Sequence, residues 1–526
     1  MPKPSASSTL NDLLSKSWVL SISRLLWALV LVTLPVTSFR FMPFMGSGTY
    51  VRPLALYPLA LLLPVLLVRL RRGEIVRPWP GTLTILLAFM LAALAATAFG
   101  ALLTPLELRG AGYLDRAVRA ILTVMIGLAF FIAAAWMNQS EADLKFSVKW
   151  LLIGLAADLG WGAIQFIGLN SGHRNLLLKF QNLFSVRGLV KNKRISGFAY
   201  EPSWFAGQIA TLYLPWLIAA LLMGYRALVN KQPEGGPSGN FLAIVGKWIR
   251  PWLEPVLCLA AAAGLLMTYS RSGLLIAFLA AVFTFLLAGR QAISAAWHWV
   301  LAGFERQRWI SFTALMKTAG IRVVLAFLIL AVMLGSVVFL TNKGYIAVFF
   351  KSGKTDIFSF VQSVYLGPRL AYVSAAMQAF ESHPLTGVGL GASGFWIYPN
   401  MPDWALSGDP EIAKQMSPNT LDLYPNSKVL YVRLLTETGL AGFMLFLAFY
   451  LSLFGDALSL LRSTDRAGLW LAAAGIFTLT AVFLMGISQD SFAMPEMWVN
   501  LGILAGAVGA FTHQPLQEVA DSKFSV

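Results

Sequence analysis

Apolar runs of about 17–23 residues recur along the whole chain, each bounded by a few polar or charged residues. A run of that length, coiled as a helix, matches the hydrocarbon thickness of a bilayer. About twelve can be marked, at 18–38, 52–70, 81–103, 116–137, 150–168, 203–222, 253–269, 272–289, 322–341, 429–452, 468–487 and 497–513. With 57% of its 526 residues hydrophobic and 12% charged, a soluble fold has too little polar surface to clothe this chain. Repeated alternating ten-residue segments are missing, which argues against a β-barrel. The expected fold is all-α: a polytopic transmembrane helical bundle of about twelve spans, every backbone polar group satisfied within its own helix. The first run lacks a small-residue cleavage site and reads as a retained anchor. The single cysteine, Cys258, sits in an apolar run, so disulfides and cysteine-ligated metals are excluded.

The net charge of +16 would suggest nucleic acid in a soluble protein. Here cationic loops that orient helices and meet anionic lipid explain it. Arg69, Arg71, Arg72 and Arg77, then Lys145 and Lys149, then Arg226, Lys231, Lys247 and Arg250, then Arg290, Arg306, Arg308, Lys317 and Arg322, then Arg462 and Arg466 all fall on one side if spans alternate. That side, with both termini, is expected to be cytoplasmic. The stretch 290–312, with Trp297, Trp299, Phe304 and Trp309, reads as an interfacial amphipathic helix, and 231–240 as a flexible linker. The organisation is then 1–168, N-terminal spans; 169–202, an external loop; 203–341, central spans; 342–428, a large, partly helical external loop; 429–513, C-terminal spans; and 514–526, a cytoplasmic tail. Both external loops are basic or rich in Gly, Pro, Tyr and Trp, and a basic external pocket suits an anion such as phosphate.

Four constellations on the external side are able to carry chemistry. Arg194 to Ser203 places Arg194 and Glu201 at a membrane surface with Gly197, Tyr200 and Pro202 between and beside them. It reads either as a loop ion pair with a helix cap, or as an anion-binding arginine beside a carboxylate that takes a hydroxyl proton. Thr268-Tyr269-Ser270-Arg271-Ser272-Gly273 is a hairpin tip whose Arg271 either snorkels or points inward to a phosphate. Arg369 is followed by His383-Pro384-Leu385-Thr386-Gly387-Val388-Gly389-Leu390-Gly391, whose glycines let backbone approach a ligand or another helix. His383 is either structural or a proton acceptor. Tyr424-Pro425-Asn426-Ser427-Lys428 leads to Glu437-Thr438-Gly439, and Glu437 is costly near the bilayer unless paired or wet. Gln489, Asp490 and Glu496 belong to the last external loop, whereas His298 and His513 fall on the cytoplasmic side.

These four motifs, in this order, resemble the O-antigen ligase/polymerase superfamily of bacterial envelope glycan enzymes, over about residues 190–450. The hairpin is similar to its T-x-S-R-x-G element, His383–Gly391 to its H-P-L-x-G-x-G-x-G element, and Glu437-Thr438-Gly439 to its E-T-G element before an apolar span. Arg194 to Ala206, with the core G-F-x-x-E-P-S-x-F-A, is similar to an upstream element of polymerase-type members. The resemblance implies a GT-C-like, metal-independent membrane glycosyltransferase that needs no cofactor. Such an enzyme moves a glycan from undecaprenyl pyrophosphate to an acceptor hydroxyl at the periplasmic face of the inner membrane. Relatives of the ligase type carry a His-Asn pair before E-T-G; here the stretch reads Tyr424-Pro425-Asn426-Ser427, without histidine, which shifts the reading to a Wzy-type polymerase of O-antigen or exopolysaccharide. Its expected partners are lipid-linked donor and acceptor glycans, membrane lipids, a chain-length regulator and a flippase, and no nucleic acid.

The chemistry of the residues agrees. Breaking a bond from an anomeric carbon to pyrophosphate develops negative charge on the leaving oxygen, which Arg194, Arg271 and Arg369 would stabilise. Glu201, then His383, then Glu437 are the candidate bases. Tyr200, Ser270, Asn426, Trp396 and Tyr424 are the candidate substrate contacts, and Trp396, Tyr398, Trp404 and Tyr424 either stack on sugars or pack a core. A ligase or protein O-oligosaccharyltransferase is the first alternative and a lipid-linked glycan transporter the second. Related halves with matching interrupted helices, the usual mark of a transporter, are not evident.

Overall fold

The computed structural model describes residues 6–42, 49–105, 107–186, 194–225, 252–289, 294, 367–408, 410–417 and 424–512. The expected span 322–341, the linker 231–240, nearly all of 290–312, and Arg187, Lys191, Lys193, His298 and His513 lie outside these residues.

The described chain is helical apart from a two-strand hairpin, Glu107–Leu108 with Ala111–Gly112. In order, the helices are α1 (Ala6–Thr33), α2 (Leu56–Arg71), α3 (Gly81–Leu103), α4 (Tyr113–Met137), α5 (Glu141–Asn170), α6 (Arg174–Phe184), α7 (Pro202–Met223), α8 (Leu253–Met267), α9 (Arg271–Ala288), α10 (Gly367–Ser382), α11 (Ser393–Ile397), α12 (Asp403–Gly408), α13 (Pro410–Met416), α14 (Leu430–Leu460), α15 (Arg466–Ser488) and α16 (Pro495–Thr512). Seven of them, α3, α4, α5, α7, α9, α14 and α15, are long and apolar enough to cross a membrane, and Trp18–Thr33 and α8 are shorter apolar helices. This is an all-α, polytopic membrane protein.

Starts and stops follow local chemistry. Ser140, Ser270 and Asp465 cap α5, α9 and α15 by accepting the backbone N–H of Asp143, Gly273 and Ala467. α7 begins with Pro202, whose missing N–H costs nothing at that position. It ends at Gly224 in the left-handed conformation. α7 is not a uniform helix: Ile209–Tyr213 widens into a π turn. The Asn500 side chain of α16 donates to the carbonyls of Thr211 (2.8 Å) and Leu212 (3.1 Å) within that turn.

Small residues let the helices close on one another, as packing in lipid requires. Gly502 and Gly506, four apart on α16, lie so near α4 that an added Cβ would fall 2.4 Å from Phe131 O and 2.2 Å from Ala135 O. α14 packs on α3, and α15 runs between α9, α14 and α7. At one end of the bundle Arg24 pairs with Asp143 at 3.0 Å and Arg69 with Glu74 at 3.4 Å. That end holds the tail of α2 and the head of α5, in the cationic loops expected on the cytoplasmic side. The four motifs gather at the other end.

Candidate active site

Two of the motifs form one unit. The Arg194 guanidinium donates through Nε to the Thr268 carbonyl at 2.7 Å, and Ile195 N–H to the Met267 carbonyl at 3.3 Å. Ser270 caps α9 just after them, so Arg271 stands exposed at the first position of that helix. Gly273 sits one turn in, where an added Cβ would lie 2.6 Å from Ala206 Cβ, so α9 abuts the head of α7. Glu201 is the residue before α7 and accepts a hydrogen bond from Ser203 Oγ. Tyr200 stacks on Tyr50 at 5.1 Å and tilts against Trp204 at 5.0 Å. Thus Arg194, Tyr200, Glu201, Ser270 and Arg271 occupy one neighbourhood.

The other two motifs interlock through backbone. Gly439 has φ +63 and ψ −173 inside α14, which breaks the helical ladder there. The break releases the Thr436 and Glu437 carbonyls and the Leu440 N–H from their usual partners. All three are taken up by the glycine loop: Val388 and Gly389 donate to the two carbonyls at 2.9 Å each, and Leu440 donates to Pro384 O at 2.8 Å. Gly387, at φ +67, has no room for a side chain, since a Cβ would fall 2.5 Å from Gly439 N. The loop is therefore built to receive a kinked helix, and of the two roles its glycines allow, close approach to a helix is the one observed.

Around this joint the remaining candidates take fixed places. Glu437 is 1% exposed. One of its oxygens accepts from Ser393 Oγ at 2.8 Å, and the other from Arg433 Nε at 3.0 Å. Arg433 also donates to Asp490 O at 2.8 Å. His383 follows the end of α10, and its ring meets Trp396 edge-to-face at 4.9 Å. Trp396 Nε1 in turn donates to Thr104 Oγ1 at 3.0 Å. Arg369 donates to the Ser488 carbonyl at 2.8 Å, at the end of α15. The Arg116 guanidinium lies 3.9 Å above the Tyr424 ring. Burial raises the Tyr424 phenol well above its ordinary range, and Arg116 opposes that shift. Asn426 Oδ1 is buried without a partner among the described residues.

The end of α15 links the two units. Its Met485 fills the space left by Gly207 of α7, while Gln489, just past the helix, accepts from Leu430 N–H at 3.1 Å. The same end of α15 lines a cleft with Thr211, Leu430, Met494 and Glu496. Glu201 belongs to the first unit; His383, Glu437, Arg369, Trp396, Tyr424 and Asn426 belong to the second.

Sequence reasoning passed over several residues that hold this site. Arg433 was readable as the partner of Glu437, four residues earlier on the same helix face. Asp158 and Gln165, inside α5, were flagged by nothing but their polarity within a span, which is itself a signal. Arg116 and Ser393 left no pattern to read.

The stretch 256–447, from α8 into α14, matches the family model described as Wzy_C: O-Antigen ligase. The matched part holds the Thr268–Gly273 hairpin, the glycine loop and Glu437-Thr438-Gly439 in order. Over that stretch the chain is similar to the O-antigen ligase/polymerase superfamily. Members are glycosyltransferase-like ligases and polymerases. The Arg194–Ala206 element and the N-terminal spans lie outside the matched stretch. No curated protein matches the chain significantly.

Proposed function

We propose that this protein is a polymerase of that superfamily, joining undecaprenyl-pyrophosphate-linked repeat units into O-antigen or exopolysaccharide chains at the periplasmic face of the inner membrane. The observation that carries the reading is the union of the Arg194–Glu201 segment with the Thr268–Gly273 hairpin, through Arg194 on the Thr268 carbonyl at 2.7 Å. It joins the segment that carries Arg194 and Glu201 to the hairpin that carries Arg271, and two guanidiniums and a carboxylate are the groups that displacement of a diphosphate needs. The acceptor oxygen attacks the anomeric carbon, forming the new glycosidic C–O bond. Its proton passes to the carboxylate, for which Glu201 is the first candidate. The old C–O bond breaks with its electron pair, and undecaprenyl pyrophosphate leaves against Arg194, Arg271 and Arg369. Attack opposite the leaving group inverts the anomeric centre. His383 and Glu437 are the second and third candidate bases, and Tyr200, Ser270, Asn426, Trp396 and Tyr424 the candidate substrate contacts.

The polymerase is favoured over a ligase by Tyr424-Pro425-Asn426-Ser427, where ligase-type relatives carry His-Asn. The family description, O-Antigen ligase, keeps the ligase as the second reading. Purified protein supplied with lipid-linked repeat units separates them: lengthening lipid-linked chains mean polymerase, transfer only to lipid A core or protein means ligase, and no covalent product means transport. In cells, a deletion strain that accumulates single repeat units without polymer identifies the polymerase. Retained stereochemistry in the new linkage would overturn the single-displacement mechanism.

A further inference from the structure

Six consecutive backbone N–H groups, Ile195 to Tyr200, lie ahead of α7 in non-helical backbone, and each has an acceptor. Ile195 donates to Met267 O at 3.3 Å, Ala199 to Ser196 O at 3.0 Å, and Tyr200 to Thr37 Oγ1 at 2.9 Å. The three between are held by two side chains of α5. Gln165 Oε1 accepts from Ser196 at 2.9 Å and from Gly197 at 3.0 Å, and Asp158 Oδ1 accepts from Phe198 at 2.7 Å. Gln165 Nε2 also donates to Gly197 O at 3.0 Å. Asp158 and Gln165 are fully buried and seven residues apart, on one face of the helix. Gly197 has φ +55, and a Cβ there would lie 2.0 Å from Asp158 Oδ1, so the turn and the carboxyl are fitted to each other.

A carboxyl group inside a span is destabilising relative to an aliphatic one, and such groups mark function by default. Packing alone explains neither residue, because leucine fills the same space in lipid without the desolvation. Both side chains converge on the one turn that joins Arg194 to Glu201. We propose that Asp158 and Gln165 are positioning residues, which lock the 196–198 turn so that Arg194 and Glu201 act together on one substrate. The proposal rests on the reading of those two residues as substrate-contacting.

The test compares Asp158→Asn, Asp158→Leu and Gln165→Leu in the full-length protein in nanodiscs. Melting temperature, amide hydrogen exchange over 194–201, and kcat and KM for chain growth are measured on each. The asparagine oxygen still accepts the Phe198 N–H, so Asp158→Asn is expected to keep kcat within about threefold, since one hydrogen bond is retained. Asp158→Leu and Gln165→Leu are expected to lose kcat by about 10- to 100-fold, the scale of an ångström's misplacement. Exchange at 196–198 should speed up in both. Wild-type kcat in Asp158→Leu overturns the proposal. So does unchanged exchange at 196–198, or an Asp158→Asn as inactive as the leucine variant. The exchange arm uses no substrate: if wild-type protein makes no polymer, the polymerase reading falls and exchange alone decides the positioning role.

Discussion

Glu437 shows how a residue singled out by its cost finds its explanation in partners. A carboxylate at the head of a span needs a cation or water. Arg433 and Ser393 occupy both of its oxygens, at 3.0 and 2.8 Å. Removing one side of a buried pair is worse than never having had it, because the other charge stays behind. Glu437→Ala is therefore expected to destabilise by about 3–5 kcal/mol, and a double-mutant cycle with Arg433→Ala should recover part of that loss. Thermal unfolding in detergent measures it; single losses that simply add would show the pair to be uncoupled. Arg271 stands exposed at the head of α9. Arg271→Ala is expected to abolish chain growth while leaving membrane protein levels unchanged. A normal ladder of chain lengths from that variant would remove it from the site.

At the scale of elements, α14 and α7 depart from regularity and each departure is satisfied by a named partner. The kink of α14 at Gly439 feeds its freed backbone groups to the glycine loop. Gly439→Ala forces a side chain into φ +63 and sets a Cβ 2.2 Å from Leu385 O. The positive φ alone costs about 1–3 kcal/mol, and the clash adds to it, so low yield and a lowered melting temperature are expected. The π turn of α7 is met by Asn500, which donates to Thr211 O and Leu212 O. Asn500→Leu leaves those carbonyls without their donor in a dry interior, with an expected loss of about 1–3 kcal/mol. An unaltered melting temperature in that variant would mean that the turn is held by other contacts. Neither irregularity was legible beforehand: hydropathy reports that a span exists, not where its ladder opens.

For the whole molecule, orientation is the expectation still to be measured. The Arg/Lys loops at the α2–α3 and α14–α15 ends predict that these face the cytoplasm, and that the motif end faces outward. Single cysteines at exposed positions in a Cys258→Ala background test it. Ser171→Cys, past the end of α5, should react with an impermeant maleimide in intact spheroplasts. Thr464→Cys, between α14 and α15, should react only after permeabilisation. The reverse pattern would move the candidate site to the cytoplasmic side and end the periplasmic reading.

The sequence by itself determined the helical bundle and most helix positions, because a bilayer imposes length and apolarity on each span independently of its neighbours. It also named the four motifs and their order. Only the tertiary structure decided how they pair: Arg194 with the Thr268 carbonyl, the glycine loop with the opened backbone at Gly439, and Asp158 and Gln165 with the turn before Glu201. These contacts join residues 31 to 74 positions apart through backbone carbonyls and N–H groups, which every residue carries alike. No periodicity or composition marks which of them will meet.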